Sequence, residues 1–188
     1  SHIVAARLPP AQWMTAGSGI MHQEMPKGDV FGRMHGFQLW ANLPSNLKMT
    51  SPRYQDVKSN EIPEIIDDDG TKVRVVVGSF WGKSGPVDGI AADPQYLDIT
   101  VPAGKRKAFK VDTYKSTFAY IFEGSATFRD ASKPFGVLVE KEVNGEEIHL
   151  RDMSGNRTLV VFDTGDEVVV QAGDQGVRFL LVSGAPIK

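Results

Sequence analysis

Short apolar runs, each of strand length and each followed by a turn signal, constrain this chain more than any other feature. The runs alternate apolar and polar residues or are rich in β-branched residues, as strands are. They lie at residues 37–43, 72–80, 96–101, 117–128, 158–162, 167–171 and 177–182. Turn signals such as Asp69-Gly70 and Thr164-Gly165-Asp166 stand between runs, where hairpin connections are needed. The sequence predicts an all-β protein, with one short turn of helix near residues 52–58.

A stretch of small and turn-forming residues at positions 82–86, GKSGP, separates two strand-dense halves. Such stretches are typical of linkers, because few contacts cross them. We therefore predict a boundary between a first domain at 1–83 and a second at 84–188. With 188 residues, the chain is long enough for two small domains.

The composition excludes several function classes. There is no cysteine, so a metal site would be built from histidine, aspartate and glutamate. The net charge of -2 gives no general attraction for nucleic acid. No apolar stretch approaches the roughly 18 residues of a membrane span and no signal region opens the chain, which favours a cytoplasmic location. A basic group is expected to form a solvated edge of the second domain: Lys105, Arg106, Lys107, Lys110 and Lys115.

Three segments in the first half carry a family resemblance. They are QWMTAGSGIMHQEMP at 12–26, HGFQLWANLP at 35–44 and PRYQ at 52–55. Together they resemble the signature of the pirins, a family in the cupin superfamily, and the resemblance extends loosely to SGAP at 183–186. It implies two cupin-type β-barrels, each a double-stranded β-helix or jelly roll. It also implies that the first barrel is incomplete and that family segments at both ends are absent.

The resemblance points to His22 and Glu24 as metal ligands. On a strand, residues two apart project from the same face, so both side chains are expected to point into the first barrel. In pirins the matching residues bind a metal, usually iron, so the resemblance implies Fe(II) or another divalent metal. The other two family ligands form a His-x-His pair that this sequence lacks. Two protein ligands hold such a metal weakly, so its occupancy is left open.

The remaining candidates are interpreted as structural. His35 is expected to brace a turn and His149 to lie on an exposed strand. Trp13, Phe37 and Trp40 are expected in the core. The alternative, in which Met14, Phe37 and Trp40 wall a pocket over the metal, stays open. The second domain is expected to lack a metal, as it does in pirins, since residues 104–117 contain no histidine.

Three functions follow from the resemblance. In the first, the protein is a quercetin 2,3-dioxygenase-type oxidoreductase that acts on a flavonol-like molecule, with Glu24 as the catalytic proton acceptor. In the second, it is a non-enzymatic regulator that binds transcription factors or metabolic enzymes. In the third, the chain is a metal-free fragment. Because a barrel that lacks strands exposes backbone edges, we also expect a homodimer or a strand-swapped assembly.

Overall fold

The computed structural model describes residues 2–6, 11–23, 28, 30–32, 36–129 and 153–187. Across these residues the regular structure is nearly all β, which confirms the predicted class. The strands are β1 His2–Ala6, β2 Ala11–Thr15, β3 Gly36–Trp40, β4 Arg53–Val57, β5 Glu64–Ile66, β6 Lys72–Val77, β7 Ser79–Phe80, β8 Lys83–Ser84, β9 Gln95–Val101, β10 Arg106–Lys110, β11 Ser116–Arg129, β12 Ser154–Gly155, β13 Thr158–Val161 and β14 Glu167–Gly184. Two three-residue 3₁₀ helices lie at Ser45–Leu47 and Ser59–Glu61.

A four-stranded antiparallel sheet, the small sheet, has the order β3-β1-β2-β4. Alternation along β2 and β3 gives it two unlike faces. One face carries Trp13, which is 1% exposed, together with Phe37 and Leu39, and these pack into a core. The opposite face carries Trp40 and Tyr54, which are exposed. Met14, on the same face as Tyr54, is fully buried, so within the described residues this second face is only partly exposed.

A larger sheet, the large sheet, has the order β12-β11-β14-β9-β6-β5, with β10 also paired to β14 and β13 to β11. Side chains from one of its faces form an interior cluster around Phe109 and Phe179, both fully buried. Side chains from its other face, including Tyr96, Phe122 and Leu180, join the residues of the small sheet. The centre of the large sheet is thus buried on both faces.

Burial on both faces explains why two runs lack alternation. Along β14, Phe179 and Leu181 enter the interior cluster, while Leu180 and Val182 enter the core shared with the small sheet. A strand covered on both sides reads as continuously apolar, because neither face meets water. The same rule accounts for the unbroken apolar segment 118–122 in β11.

Aromatic contacts join the two sheets. The ring of Phe37 on β3 lies 4.8 Å from that of Phe122 on β11, measured between centroids. It also makes an edge-to-face contact with Tyr120 at 5.7 Å. Such pairs add to the stabilisation from burial alone. These contacts make one continuous core between the small and large sheets.

Two secondary-structure predictions need correction. Residues 52–58 do not form the predicted turn of helix, because 53–57 pair with β2 as strand β4. The predicted strands at 167–171 and 177–182 are parts of one strand, β14. That strand passes Gly176, where φ is +75°, and the register of its pairing with β11 shifts nearby. A bulge lets one strand serve two sections of the sheet.

The predicted boundary at residues 83 and 84 falls inside the β7–β8 hairpin. Both β5 and β6 precede that point in the chain, yet β6 pairs with β9 in the large sheet and β5 pairs with β6. The large sheet therefore contains strands from both sides of the predicted boundary. The domain limits remain a prediction.

Candidate metal centre

The segment that carries His22 leaves the small sheet through a glycine turn. Strand β2 ends at Thr15, and Gly17 and Gly19 have φ values of +51° and +136°. The amide of Ser18 donates to the carbonyl oxygen of Thr50 at 2.9 Å, and that of Gly19 donates to Ala16 O at 2.9 Å. Positive φ values are incompatible with a continuing strand, so the glycines end β2 before His22 is reached.

His22 lies beyond this turn in irregular backbone, and its side chain is exposed. The expected strand geometry, with the imidazole directed into a barrel, is therefore not seen for His22. Glu24, His35 and His149 lie outside the described residues, so the pairing of His22 with Glu24 stays a prediction.

The donor types suit a divalent first-row metal, since imidazole nitrogen and carboxylate oxygen are both ligands for such ions. Within the part of the chain that the structure describes, however, no three His, Asp or Glu side chains come close enough together to hold one. His22 contributes one imidazole to this inventory. A complete ligand set would need donors from elsewhere, as the sequence comparison with pirins implied.

The partly exposed face of the small sheet carries aromatic side chains. Trp40 on β3 is 72% exposed and Tyr54 on β4 is 47% exposed. Met14, which is the register partner of Tyr54, is fully buried. Trp13 and Phe37 belong to the core, as predicted, whereas the core assignment of Trp40 is wrong. Trp40 lies on the opposite face because β3 alternates.

An ion network lies on the face of the large sheet that meets the small sheet. Arg178 donates to both carboxylate oxygens of Asp98, at 2.9 and 2.7 Å. Arg74 lies 3.7 Å from Asp98, and Glu123 lies 3.7 Å from Arg178. The guanidinium of Arg178 also stands 5.0 Å from the centre of the Phe122 ring. Its hydrogen bonds to Asp98 raise the pKa of Arg178 above the usual arginine range.

The sequence pattern does not predict this network. On β9 and β14 each member is the single charge within an apolar run, and Arg74 on β6 stands between two valines, which is the one available signal. A charged side chain at such a position needs a partner, because burial without one is costly. The network anchors the large sheet and has no donor set for a transition metal.

The basic group is only partly the solvated edge that we predicted. The Lys107 side chain is 18% exposed and forms ion pairs with Asp67 and, at 3.1 Å, Asp69. The Lys115 side chain is 7% exposed and lies 2.8 Å from Asp93 and 3.1 Å from Asp112. Lys107 on β10 therefore holds the loop at 67–69, and Lys115 joins its own loop to the loop that carries Asp93.

The hydrogen bond from Lys107 is the largest cause that lowers the pKa of Asp67 below the usual aspartate value. For Asp69 the largest cause is the backbone amide of Thr71, with Lys107 adding to it, and the pKa of Asp69 is also lowered. Both carboxylates are thus held in their charged form by the folded structure.

A hollow of about 850 Å³ opens beside β7 and β10. Phe80 and Trp81 form an aromatic side of it, and its lining also includes Lys110, Asp166 and Glu167. None of the described residues that line it is a histidine. The hollow is therefore not a candidate for the metal site that the sequence predicts.

Comparison with known proteins gives two family matches. The model described as the Pirin C-terminal cupin domain matches residues 96–188, and the model described as Pirin matches residues 5–41. Pirin-1 of Arabidopsis thaliana is 35% identical over 94% of this chain and 54% of its own length. A Pseudomonas aeruginosa protein named "Putative quercetin 2,3-dioxygenase" is 36% identical over 80% of this chain and 54% of its own length.

Among solved structures, a quercetin 2,3-dioxygenase from Acinetobacter baumannii superposes with a TM-score of 0.73. The alignment covers 98% of this chain and 61% of that protein at 23% sequence identity, a likeness of fold. The chain spans about half the length of the two curated relatives named above. No helix among the described residues has the length and apolar character of a membrane span.

Proposed function

This chain belongs to the pirin family of the cupin superfamily, and on that premise we propose that the protein is an oxidoreductase of the quercetin 2,3-dioxygenase type. The proposed substrate is a flavonol-like small molecule. The observation that carries the proposal is the His22 segment, which leaves the small sheet through a braced turn. The name of the Pseudomonas aeruginosa relative supports the reaction class.

We propose His22 and Glu24 as this chain's contribution to a divalent metal site, with Fe(II) as the first candidate. When bound, such a metal acts as a Lewis acid toward substrate oxygens. Glu24 is also the proposed proton acceptor for the substrate hydroxyl. The exposed rings of Trp40 and Tyr54 lie on the same face of the small sheet, at its two edges, and each offers flat apolar surface of the kind that a flavonol presents.

A regulatory binding role is the second candidate, and exposed apolar side chains favour it. Several large apolar residues of the first half are exposed, and such surface often marks a contact with another protein: Met21, Val30, Phe31, Trp40 and Met49.

Strands β3 and β4 are the two edge strands of the small sheet. Pairing at either edge would give the homodimer or strand-swapped assembly that we propose, in a cytoplasmic location.

The experiment starts from metal content and then measures flavonol turnover by iron-loaded protein. We expect turnover by the wild type and its loss in His22→Ala, while Gln23→Ala, a change at the exposed neighbouring residue, retains it. Because His22 is exposed, the free energy of unfolding of His22→Ala is expected to stay within about 0.5 kcal/mol of the wild type. A metal-loaded wild type without turnover would exclude the enzyme and leave the regulatory role.

A further inference from the structure

We infer that Gly17 is a positioning residue for the His22 segment, a role that rests on the proposed function. The absence of a side chain at Gly17 lets the backbone of residue 50 close against the turn after β2. This contact sets the direction in which the chain runs toward His22. The contact between Gly17, Ser18 and Thr50 is called the clamp below.

The clamp is a contact between two backbones. A Cβ atom added at Gly17 would clash with the carbonyl oxygen of Thr50 and lie 2.9 Å from its carbonyl carbon. The same oxygen accepts the hydrogen bond from the Ser18 amide at 2.9 Å. Any residue with a side chain would therefore have to push away the atom that holds the turn.

Thr50 has little freedom to move aside. Its amide donates to the carbonyl oxygen of Leu47 at 3.1 Å, and the amide of Leu47 donates to Pro44 at 2.9 Å. Three residues later the chain enters β4, where Arg53 pairs with Thr15 at the end of β2. The clamp thus continues the contact between β2 and β4 past the last paired residues.

The requirement at Gly17 is steric rather than conformational. A φ of +51° lies in the left-handed region, which asparagine tolerates better than other residues with a side chain. Asparagine at this position would accept the backbone angles and still carry the clashing Cβ. Gly104 supplies a matched control, because its φ is +67° and an added Cβ there meets nothing within 4 Å.

The test compares Gly17→Asn with Gly104→Asn and the wild type in three measurements. They are hydrogen exchange of the Ser18 amide, the NMR cross-peaks of the His22 imidazole in metal-free protein, and the Kd for Ni²⁺. In Gly17→Asn we expect the Ser18 amide to exchange about tenfold faster, as loss of one hydrogen bond implies. The His22 cross-peaks should shift, and Ni²⁺ should bind about tenfold more weakly, as supporting contacts of ligands typically cause. Gly104→Asn should match the wild type in all three.

The outcomes separate the clamp from the proposed function. If the Ser18 amide exchanges faster but the His22 cross-peaks do not move, the clamp is only structural and the inference is wrong. Unchanged exchange in a folded Gly17→Asn variant would also overturn it. If the wild type binds no Ni²⁺ while the His22 cross-peaks still shift in Gly17→Asn, the positioning role stands and the proposed metal site fails.

Discussion

The small and large sheets differ in what covers them. The central strands of the large sheet are buried on both faces and hold Phe179 fully buried. The small sheet packs Trp13 and Phe37 on one face and leaves Trp40 exposed on the other. A sheet covered on both sides contributes most of the buried apolar area, whereas a sheet with a partly exposed face keeps surface for binding.

The charged groups follow the same division. In the large sheet Arg178 and Asp98 form a shielded, doubly hydrogen-bonded pair, with side chains 17% and 12% exposed. At the small sheet Arg53 pairs with Asp88, with side chains 47% and 77% exposed. A shielded pair is costly to break, whereas an exposed one contributes little. The comparison therefore assigns stability to the large sheet and candidate chemistry to the small one.

The largest effect is expected for Phe179→Ala compared with Trp40→Ala. Phe179 makes edge-to-face contacts with Phe109 and Phe128, at 6.0 and 5.7 Å between ring centroids. Its removal leaves a cavity and should lower the free energy of unfolding by about 3–5 kcal/mol. Trp40→Ala, at a largely exposed ring, should cost about 1 kcal/mol or less. Urea unfolding measures both, and equal losses would contradict the assignment of stability to the large sheet.

A smaller effect is expected for Asp98→Asn compared with Asp88→Asn. The first change leaves Arg178 shielded without its carboxylate partner and should cost about 2–3 kcal/mol. The second removes an exposed ion pair and should cost about 0.5 kcal/mol. Thermal or urea unfolding at neutral pH gives the two values. If Asp98→Asn is as mild as Asp88→Asn, the ion network does not anchor the large sheet.

The smallest effect is expected at acid pH, where the pH dependence of the unfolding free energy tests whether Lys107 is a structural residue of the large sheet. Its partners Asp67 and Asp69 have lowered pKa values in the folded state. Their contribution is therefore full above the unfolded aspartate pKa of about 3.9 and is lost as pH falls through the lower folded values. Lys107→Met should make unfolding free energy fall less steeply below about pH 4.

The control for that experiment is Lys110→Met, which removes the same charge from an exposed position on the same strand. It should retain the acid dependence of the wild type. If the unfolding free energy of Lys107→Met falls as steeply at acid pH as that of the wild type, Lys107 does not hold the two aspartates.

The strands could be predicted where local pattern decides them. Alternation of Val73 and Val75 with polar residues in β6 is visible in the sequence. Strand β4 was missed because RYQDV has neither alternation of apolar residues nor β-branched content until Val57. It is a strand because β2 lies beside it. Partners distant in sequence decided that segment, as they decided the pairing of β6 with β9.

The candidate site divides in the same way. The family signature identifies His22 as a candidate metal ligand, but it does not predict that the His22 side chain is exposed. The turn before it depends on Thr50, which the segment around Gly17 cannot reveal by itself. The sequence likewise predicts a solvated Lys107, because Asp67 and Asp69 lie far from it in sequence. Residue type could be predicted, whereas surroundings formed by distant segments could not.

The aromatic contact of Phe37 with Phe122 and Tyr120 has a consequence for how the molecule comes apart. Each sheet shields the other from water, so separating the two sheets would expose both Trp13 and Leu180 to solvent. The small and large sheets should therefore unfold in a single cooperative transition. To isolate the small sheet with its His22 segment, the apolar residues that it packs against the large sheet would have to be redesigned for contact with water.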